Sequence, residues 1–529
     1  MIKILISDKL AQEGIDLLNS MDGVEAVVNT GLSEDELAGI IGDYDGLIVR
    51  SATKVTPKIL ESATKLKGIA RAGVGVDNIN IPEATKRGVI VMNTPGGNTL
   101  SAAEHTMALM LAMSRNVVPA CNSLKDGAWD RKKYMGSQLN GKVLGIIGMG
   151  RIGMAVAKMA RGFDMKVIGY DPLAAPPEAE KLGVEVTEDL NKIFTDSDYI
   201  SVHVPRNEQT LNMIGAQQFK MMKPTTRLVN CARGGIINED ALYDALENKV
   251  VAGAALDVFP TEPPENTRFS GIGSCLVTPH LGASTEEAQI EVAVEAAQIL
   301  ADAIKGGPVR NALNAPSSSG AAPAIVVKYG ELAKRIGVLL STITTGQIKS
   351  VEVQYRGKIA EMDVASASLN FTIGLLQKHF DSPLNMVNVG YMAKERGISI
   401  DETKNTDPQD LSSVFSAKVV TDKGTRSVTG TVFGGSLLRI IDIDGFKVEI
   451  TPAGSLLTIF NADKPGVIGA VGTVFGKYGI NIATMGVGQK FDEQKAVLGV
   501  SLDKEPSAEA IEELGKLDFV NEIYICKLD

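Results

Sequence analysis

Residues 142–162, KVLGIIGMGRIGMAVAKMARG, decide the fold of this 529-residue chain. The apolar run KVLGII is typical of a buried strand, and RIGMAVAKMARG has the apolar spacing of a helix. Between them stands a GxGxxG turn, where backbone N–H groups and the helix dipole can hold a pyrophosphate. A tight turn without a ligand is the alternative, but the preceding strand and the following helix favour dinucleotide binding. The cofactor-binding residues predicted in this turn are Gly148, Gly150, Arg151, Ile152 and Gly153.

Asp171 narrows the choice of dinucleotide. It follows the next predicted strand, KVIGY, and stands 23 residues after Gly148. An acidic side chain at this place accepts hydrogen bonds from the ribose hydroxyls of NAD and repels the 2′-phosphate of NADP. The sequence therefore predicts NAD as the cofactor, with Asp171 among its contacts.

Strands and helices alternate on both sides of this unit. KILIS, VEAVV and GLIVR precede it, and YISVHVP, TRLVNCA and SCLVTPH follow it, with helical patterns between them. This alternation is typical of parallel sheets with crossover helices. We predict an α/β fold with two Rossmann-like parallel-sheet domains and a cleft between them. The expected NAD-binding domain is 98–284, and a discontinuous substrate-binding domain comprises 1–97 and 285–312, because the helical pattern from Ser284 can return to the first sheet.

The composition of the chain changes after Arg310. The stretch NALNAPSSSGAAPA is rich in small residues, Pro and Ser, as linkers are. Residues 313–452 mix helical patterns with alternating strands such as KSVEVQYRG, which predicts an α+β intervening domain. Residues 453–529 follow the order strand, helix, strand, strand, helix, strand, which predicts a ferredoxin-like domain.

Charge and composition argue against several classes of protein. The 63 acidic and 53 basic residues give a net charge of -10, which disfavours an extended nucleic-acid-binding face. The four cysteines form no CxxC pair, which suits a reducing compartment and gives no support to a metal site. The starting run MIKILISDKL is too short for a signal peptide, and no run reaches the ~18 apolar residues that span a bilayer. We expect a cytoplasmic protein with no nucleic-acid, membrane or metal partner.

Only four histidines are available as a catalytic base. An imidazole suits removal of a hydroxyl proton because its ordinary pKa lies near neutral pH. His280 follows a strand and a proline in LVTPHLGAS, so we expect it at the carboxyl end of the sheet, where open α/β sheets bind ligands. Of the others, His105 is expected to pack within a helix, and His379 lies far downstream. His203 ends the strand ISVHVP near the expected sheet edge and can line the cofactor pocket.

Two charged residues follow neighbouring strands of the same predicted domain. Glu262, in DVFPTEPPEN, can orient an imidazole and stabilise its cationic form. Arg233, in NCARGG, can bind a substrate carboxylate or polarise the oxygen at C2. Each residue alone is more often a solvated side chain. Together with His280 they predict a site that oxidises a small 2-hydroxy acid.

The strings RAGVGVDNI, NTPGGNTLSAAEH, GIIGMGRIG, NCARGGIIN and TPHLGAST resemble the D-2-hydroxyacid dehydrogenase family over about the first 310 residues. The resemblance implies that His280 is the acid/base, Glu262 its partner and Arg233 the substrate-anchoring residue. It also implies cofactor contacts by Asp171 at the ribose, Asp257 near the nicotinamide amide, and Cys231 and Ala232 along the cofactor.

The layout of the whole chain is similar to the long members of this family, which carry an intervening domain and then an ACT domain. That similarity implies oxidation of 3-phosphoglycerate to 3-phosphohydroxypyruvate, the entry to serine synthesis, by a homotetramer. The segment NADKPGVIGAVGTVFGKYGINIATM resembles ACT domains that bind amino acids, which implies L-serine as an effector held by Asp463 and Asn481. Asn461 departs from the residues more usual at its position.

A substrate with both a phosphate and a carboxylate needs more cations than one anchoring arginine. Arg50 and Arg71 end predicted strands of the first unit, which suits a cleft, and Asn98 lies in the loop GGNTL. The family resemblance implies that Arg131, with the two lysines that follow it, reaches the site of a neighbouring subunit. A solvated charge run is the alternative for the lysines. The predicted substrate-binding residues are Arg50, Arg71, Asn98 and Arg131.

Two other functions fit part of the pattern. A glyoxylate or hydroxypyruvate reductase of the same family carries the same catalytic residues, but those enzymes usually end near the Gly306 region. The additional residues after that region favour the phosphorylated acid. A protein of this fold can instead bind NAD as a transcriptional co-repressor and retain the same three side chains. The amino-acid-binding tail favours an enzyme under metabolic feedback over that alternative.

Overall fold

The structure is a computed structural model of the chain that describes residues 1–173, 175–264, 268–316, 323–407 and 411–528. These residues form four sheets of five, seven, six and four strands. Part of the expected linker, 317–322, lies outside the described residues. No helix formed by the described residues is both long and apolar enough to cross a bilayer.

The first sheet is formed by β1 (Ile2–Ile6), β2 (Val24–Val28), β3 (Gly46–Val49), β4 (Gly68–Arg71) and β5 (Ile90–Asn93). Its crossover helices are α1 (Gln12–Ser20), α2 (Glu34–Ile40), α3 (Pro57–Ser62) and α4 (Ile81–Lys86). The strands are parallel, in the order β2-β1-β3-β4-β5. Ile4, Leu5 and Ile6 are fully buried because side chains on both faces of the sheet pack against other elements.

The second sheet has seven parallel strands: β6 (Val143–Ile147), β7 (Lys166–Tyr170), β8 (Val184–Thr187), β9 (Tyr199–Val202), β10 (Arg227–Asn230), β11 (Gly253–Leu256) and β12 (Cys275–Val277). Its helices are α5 (Thr99–Ser114), α6 (Val117–Lys125), α7 (Arg151–Gly162), α8 (Glu178–Lys181), α9 (Leu190–Asp196), α10 (Ala216–Met221) and α11 (Glu239–Glu247). The order is β12-β11-β10-β9-β6-β7-β8, so the chain switches direction across the sheet at β6. Open sheets bind ligands at such a switch point.

The predicted α/β class with two Rossmann-like parallel sheets is confirmed. One strand, β8, did not appear among the sequence predictions. Its residues VEVT are short and half exposed at the edge of the sheet, so they lack the apolar run that marked the other strands.

A long helix, α12 (Glu286–Ile304), joins the second sheet back to the first. Its residues Val292, Ala296 and Leu300 share one buried core with Ile4 and Ile48 of the first sheet. The first sheet is therefore completed by a helix that follows the second sheet in sequence.

The third sheet follows α13 (Ala324–Ile343) and contains β13 (Ile348–Gly357), β14 (Ser399–Asn405), β15 (Ser413–Thr421), β16 (Thr425–Phe433), β17 (Leu437–Ile443) and β18 (Phe446–Ile450), with α14 (Ala365–Leu376) and α15 (Val389–Glu395). Only the β13–β14 pair is parallel among the described pairs of this sheet. Tyr355, Phe371 and Phe415 pack their rings together, with centroids 5.1 and 5.6 Å apart, at the centre of this unit.

The fourth sheet is antiparallel, with the elements β19 (Ser455–Ala462), α16 (Val467–Lys477), β20 (Ile482–Lys490), β21 (Lys495–Leu502), α17 (Ala508–Gly515) and β22 (Val520–Lys527). The strand order β20-β21-β19-β22 and the element order confirm the predicted ferredoxin-like pattern. Leu457 and Ile459 of β19 pack against Val471 and Phe475 of α16.

The other face of the fourth sheet packs against the third unit. Leu456 and Phe460 belong to the same buried core as Ile450. β18 lies so close to β20 that a Cβ built on Gly486 would be 2.2 Å from the carbonyl oxygen of Glu449. The absence of a side chain at Gly486 thus permits the contact, and the last two units share one core.

Two asparagines that follow the second sheet in sequence contact the first sheet, one from the linker and one from the third unit. Asn314 accepts from the Val91 N–H at 2.9 Å and donates to the Val89 carbonyl at 2.9 Å. Asn385 donates to the carbonyl of Gly88 at 2.8 Å. The third unit therefore contacts, through Asn385, the chain segment that leads directly into β5.

Candidate active site

The glycine turn between β6 and α7 has the backbone form that the motif predicts. Gly148 has a φ of 99°, which favours glycine, and a Cβ on Gly153 would lie only 2.0 Å from the Gly148 carbonyl oxygen. A Cβ on Gly150, in contrast, would meet no atom within 4 Å. The turn thus leaves no room for a side chain at Gly153, whereas no protein atom fills the space beside Gly150 at the start of α7. This arrangement fits a pyrophosphate approached by backbone N–H groups.

Asp171 lies directly beside this turn. Its Oδ2 accepts the Met149 N–H at 2.8 Å, and its Oδ1 accepts the Leu173 N–H at 2.9 Å. A carboxylate has about four acceptor positions, so two remain for ribose hydroxyls. Asp171 therefore both fixes the turn and presents the acceptor that the NAD prediction requires.

His203 directly follows β9, a central strand of the second sheet, so it lies at the carboxyl end of that strand. Its Nε2 lies 2.8 Å from the Ser201 hydroxyl. Burial lowers the pKa of His203 to about 4, so the ring is neutral at physiological pH. A neutral, partly buried imidazole lies next to the glycine turn, since a Cβ on Gly148 would be 2.6 Å from the His203 backbone.

His280 and Glu262 form a direct side-chain pair. Nδ1 of His280 lies 2.6 Å from Oε2 of Glu262, and Oε1 of Glu262 accepts the Phe259 N–H at 3.0 Å. Because the carboxylate accepts from Nδ1, Nε2 is the ring nitrogen that remains for a substrate hydroxyl. The pair borders a cavity of about 370 Å³, which is otherwise lined mainly by Phe259, Val277, Thr278 and the prolines 263, 264 and 279. The structure thus brings together two of the three predicted catalytic residues.

Asp257 is fully buried and holds the loop that carries His280. Its Oδ1 accepts from Thr278 Oγ1 at 2.6 Å and from the Leu281 N–H at 2.8 Å, while Oδ2 accepts the Gly282 N–H at 2.9 Å. Burial opposes ionisation, but hydrogen bonds from His105, Thr278 and Leu281 hold the pKa of Asp257 below its ordinary value. The expected contact of Asp257 with a nicotinamide amide stays a prediction.

Arg233 extends from the second sheet to the first. It follows β10, and its Nη1 donates to the Ala232 carbonyl at 2.7 Å. Its Nε lies 3.4 Å from Asp77 Oδ2, and a Cβ on Gly75 would be 1.9 Å from its Nη2. The guanidinium therefore lies across the loop that follows β4, between the two parallel sheets.

Three arginines converge near that loop. Burial, followed by the positive charges of Arg233 and Arg50, lowers the pKa of Arg71 to about 10. A Cβ on Gly73 would be 2.2 Å from Arg71 Nη1, so this guanidinium also crosses the loop closely. The Nε atoms of Arg50 and Arg71 are buried and have no hydrogen-bond partner among the described residues. An anionic ligand would neutralise these like charges and accept hydrogen bonds from the unpaired donors.

Asn98 and Arg131 differ in where the structure places them. Asn98 immediately precedes α5, its side chain caps nothing, and its Oδ1 is buried without a partner among the described residues. It is therefore available to a ligand at the start of a 16-residue helix. Arg131 is exposed on the segment after α6, and no described contact brings it to the other arginines. Its expected role in a neighbouring subunit's site stays a prediction.

Cys231 and Ala232 follow β10, as expected of residues along the cofactor. Burial raises the pKa of the Cys231 thiol to about 12. Within the described residues, Cys231, His105 and Asp257 form the one group whose potential metal-ligand atoms all lie within 4.8 Å of one another. A protonated thiol and a carboxylate already occupied by loop donors make poor ligands, so we assign no metal to this group.

The predicted effector residues lie on either side of α16. Asp463 Oδ1 accepts from Gln489 Nε2 at 3.0 Å, and the Asn481 N–H donates to Asp503 Oδ1 at 3.0 Å. No contact between Asp463 and Asn481 occurs among the described residues. Asn461 is 3% exposed, and its Oδ1 has no partner within the described part of the chain. The chain thus presents a half-buried carboxylate and an exposed asparagine, with the buried, unpartnered amide oxygen of Asn461 nearby in sequence.

Comparison with known proteins gives matches along most of the chain. The family model "D-isomer specific 2-hydroxyacid dehydrogenase, NAD binding domain" matches residues 107–282. The "D-3-phosphoglycerate dehydrogenase intervening domain" matches residues 325–444, and "ACT domain" matches residues 455–519. The predicted fold class and the predicted nature of the tail are confirmed by these matches.

Curated relatives match over the full length. A D-3-phosphoglycerate dehydrogenase of Synechocystis is 40% identical and covers 100% of this chain and 95% of its own. One of Bacillus subtilis is 41% identical over 97% of both chains, and one of Methanocaldococcus jannaschii is 39% identical over 100% of both.

Solved structures match about three fifths of the chain. The TT0316 protein of Thermus thermophilus is 31% identical, with a TM-score of 0.55, and the match covers 59% of this chain and 100% of that one. A D-lactate dehydrogenase of Aquifex aeolicus, in complex with NAD and lactic acid, is 26% identical, with a TM-score of 0.53, over 60% of this chain and 100% of its own.

Proposed function

The chain belongs to the D-3-phosphoglycerate dehydrogenase family, and from this premise we propose that the site described above oxidises 3-phosphoglycerate to 3-phosphohydroxypyruvate. The protein is an NAD-dependent oxidoreductase. The observation that carries the assignment of its site is the His280–Glu262 pair, with an Nδ1–Oε2 distance of 2.6 Å. An arginine cluster at the loop after β4, which Arg233 of the second sheet reaches, adds to it.

His280 removes the proton from the substrate's 2-hydroxyl group at its Nε2. Glu262 fixes the ring through Nδ1 and stabilises the imidazolium that forms. NAD, when bound, accepts the hydride that leaves C2. In the reverse direction the same imidazolium returns the proton to the 2-oxo group. The glycine turn holds the pyrophosphate of the dinucleotide through backbone N–H groups, and Asp171 accepts hydrogen bonds from the ribose hydroxyls.

The arginines bind the two anionic ends of the substrate. Arg233 lies at the sheet-to-sheet boundary, where it can hold the carboxylate and polarise the oxygen at C2. Arg50 and Arg71 supply further donors, including buried Nε atoms without a partner among the described residues. Three guanidiniums exceed what one carboxylate neutralises, so the cluster favours a substrate that also carries a phosphate.

A reductase for an unphosphorylated 2-oxo acid is the second candidate, because the same base and anchor serve that reaction. The two are separated by following NADH formation with 3-phosphoglycerate, D-glycerate and D-lactate in parallel. Turnover of the phosphorylated acid at a kcat/KM at least about 10-fold higher supports the proposal, since a hydrogen bond to a charged group contributes about 1.5–3 kcal/mol. Equal values for glycerate contradict it.

The tail supports regulation of the enzyme by L-serine. ACT domains bind amino acids, and here Asp463 and Asn481 offer an acceptor and an amide on either side of α16. This unit shares a core with the third unit, which contacts the segment leading into β5 through Asn385. A ligand in the tail can therefore shift the position of the strand next to the arginine cluster.

We further propose that the enzyme is a cytoplasmic homotetramer. No residue of α6 is buried, and the segment after it exposes Trp129 by 75% and Met135 by 81%. A second copy of the chain covering this apolar surface would also bring Arg131 to a neighbouring site. Native mass spectrometry of Trp129→Lys tests this assignment. Loss of the tetramer supports it. An unchanged tetramer would show that the subunits do not contact each other through this surface.

A further inference from the structure

His105 occupies a position that the catalytic assignment leaves unexplained. Its side chain, 19% exposed, projects from the middle of α5 toward the second sheet. Its Nε2 lies 3.2 Å from Asp257 Oδ1 and 3.3 Å from Thr278 Oγ1. A carboxylate only accepts hydrogen bonds, so the bond to Asp257 requires a proton on Nε2.

Asp257 holds the backbone on both sides of His280. Its carbonyl accepts the His280 N–H at 2.9 Å, and its two carboxylate oxygens accept the N–H groups of Leu281 and Gly282. His280 itself has a φ of 54°, a conformation that a side chain other than glycine adopts only when its surroundings impose it. The direction in which the imidazole points thus depends on the carboxylate of Asp257.

His105 is the one described donor to that carboxylate that does not come from the loop itself. Thr278, Leu281 and Gly282 all belong to the loop, whereas His105 belongs to α5. A fully buried carboxylate is costly unless donors surround it. Loss of the His105 bond would raise the pKa of Asp257 and weaken its hold on the loop.

The helix that carries His105 is anchored to the same region a second time. Ser101, one helical turn earlier, shares a hydrogen bond of 2.7 Å with Thr285, the N-cap residue of α12. α5 is therefore attached to the chain on both sides of the catalytic loop. Because α5 is held in this way, the side chain of His105 can set the position of the loop.

We propose that His105 is a positioning residue for the dehydrogenase reaction: its Nε2–H bond to Asp257 fixes the loop that presents His280 to the substrate. This role rests on the proposed function of His280 as the base. Glutamine at position 105 can still donate from a terminal nitrogen, whereas leucine fills the space without a donor.

The test compares His105→Gln and His105→Leu in the full-length enzyme with wild type, measuring kcat, KM for NAD and melting temperature. Glu104→Ala, an exposed residue on the same helix, is the matched control. We expect His105→Leu to lower kcat about 10- to 100-fold, because small displacements of a reacting group cost that much. KM for NAD should stay within twofold, and His105→Gln should recover most of the kcat.

Two results overturn the proposal while wild type remains active. One is a kcat for His105→Leu within twofold of wild type, and the other is equal impairment of the Gln and Leu variants in proteins that melt like wild type. Failure of the proposed function gives a different result, because wild type itself then shows no turnover of 3-phosphoglycerate.

Discussion

Nδ1 of His280 lies 2.6 Å from Oε2 of Glu262, and the other oxygen of that carboxylate accepts the N–H of Phe259 at 3.0 Å. The backbone N–H of Phe259 thus holds the Glu262 carboxylate, and the carboxylate in turn holds the imidazole of His280. A base held in this way has one tautomer and one free nitrogen, which is what removal of a hydroxyl proton requires. The exposed fraction of the His280 side chain, 48%, leaves it open to a substrate.

The first prediction concerns this pair. His280→Ala should lower kcat about 10²- to 10⁴-fold, the usual contribution of a general base. Glu262→Gln should lower it about 10²-fold or more, because the ring loses its orienting charge. Steady-state kinetics with 3-phosphoglycerate and NAD measure both effects, and His379→Ala, in the tail, serves as the control. Full activity of His280→Ala would remove it as the base.

The glycine turn offers a matched pair of substitutions. Gly153→Ala places a methyl group 2.0 Å from the Gly148 carbonyl, so it should lower both the melting temperature and the affinity for NAD. Gly150→Ala meets no protein atom within 4 Å and should leave the melting temperature unchanged. Its methyl group should still weaken NAD binding, because the pyrophosphate needs a close approach there. Calorimetric titration of NAD and a thermal melt separate the two effects; unchanged NAD affinity in Gly150→Ala would place the cofactor elsewhere.

The charge of Arg71 should destabilise the anion-free protein and strengthen the binding of 3-phosphoglycerate. The lowered pKa of Arg71, about 10, means that the fold disfavours its charged form. Below pH 10 the charge therefore destabilises the anion-free protein, and this cost falls only as the pH rises from about 10 toward the ordinary pKa of arginine. Arg71→Met should raise the melting temperature at pH 7 without anions, yet raise KM for 3-phosphoglycerate about 10- to 100-fold.

Inorganic phosphate provides the complementary measurement. It should raise the melting temperature of wild type by about 2 °C or more and have less effect on Arg71→Met. Arg268→Met, whose guanidinium pairs with Asp240 on the surface, should respond like wild type. If Arg71→Met lowers the anion-free melting temperature and keeps the full response to phosphate, the cluster is not an anion site.

Local sequence predicted the parts of the site that depend on neighbours along the chain. The glycine spacing fixed the turn, and the positions of Glu262 and His280 after β11 and β12 placed both at one end of the sheet. The roles of His105 and Asp257 required the contacts of α5 with residues 152 and 173 positions away, which no local pattern encodes. The sequence did not predict the shared core of the last two units for the same reason. The need for glycine at position 486 is evident only from its close approach to Glu449 in the other unit.

Serine should act through the tail. At saturating serine, kcat or KM of wild type should change, and Asp463→Ala should weaken that response by removing the acceptor before α16. Asp492→Ala, an exposed acidic residue of the same unit, should retain the response. Initial rates across a serine titration measure the effect. Rates of wild type that do not change with serine would rule out feedback by this amino acid.

The central claim is that the His280 cleft with its arginine cluster oxidises a phosphorylated 2-hydroxy acid. The most direct measurement is the ratio of kcat/KM for 3-phosphoglycerate to that for D-glycerate, with NAD, in wild type and in Arg71→Met. We predict a ratio well above 10 in wild type that falls about 10-fold or more in the variant, because the variant loses a charge-assisted contact with the phosphate. A ratio near one in wild type, or one that Arg71→Met leaves unchanged, would contradict the account.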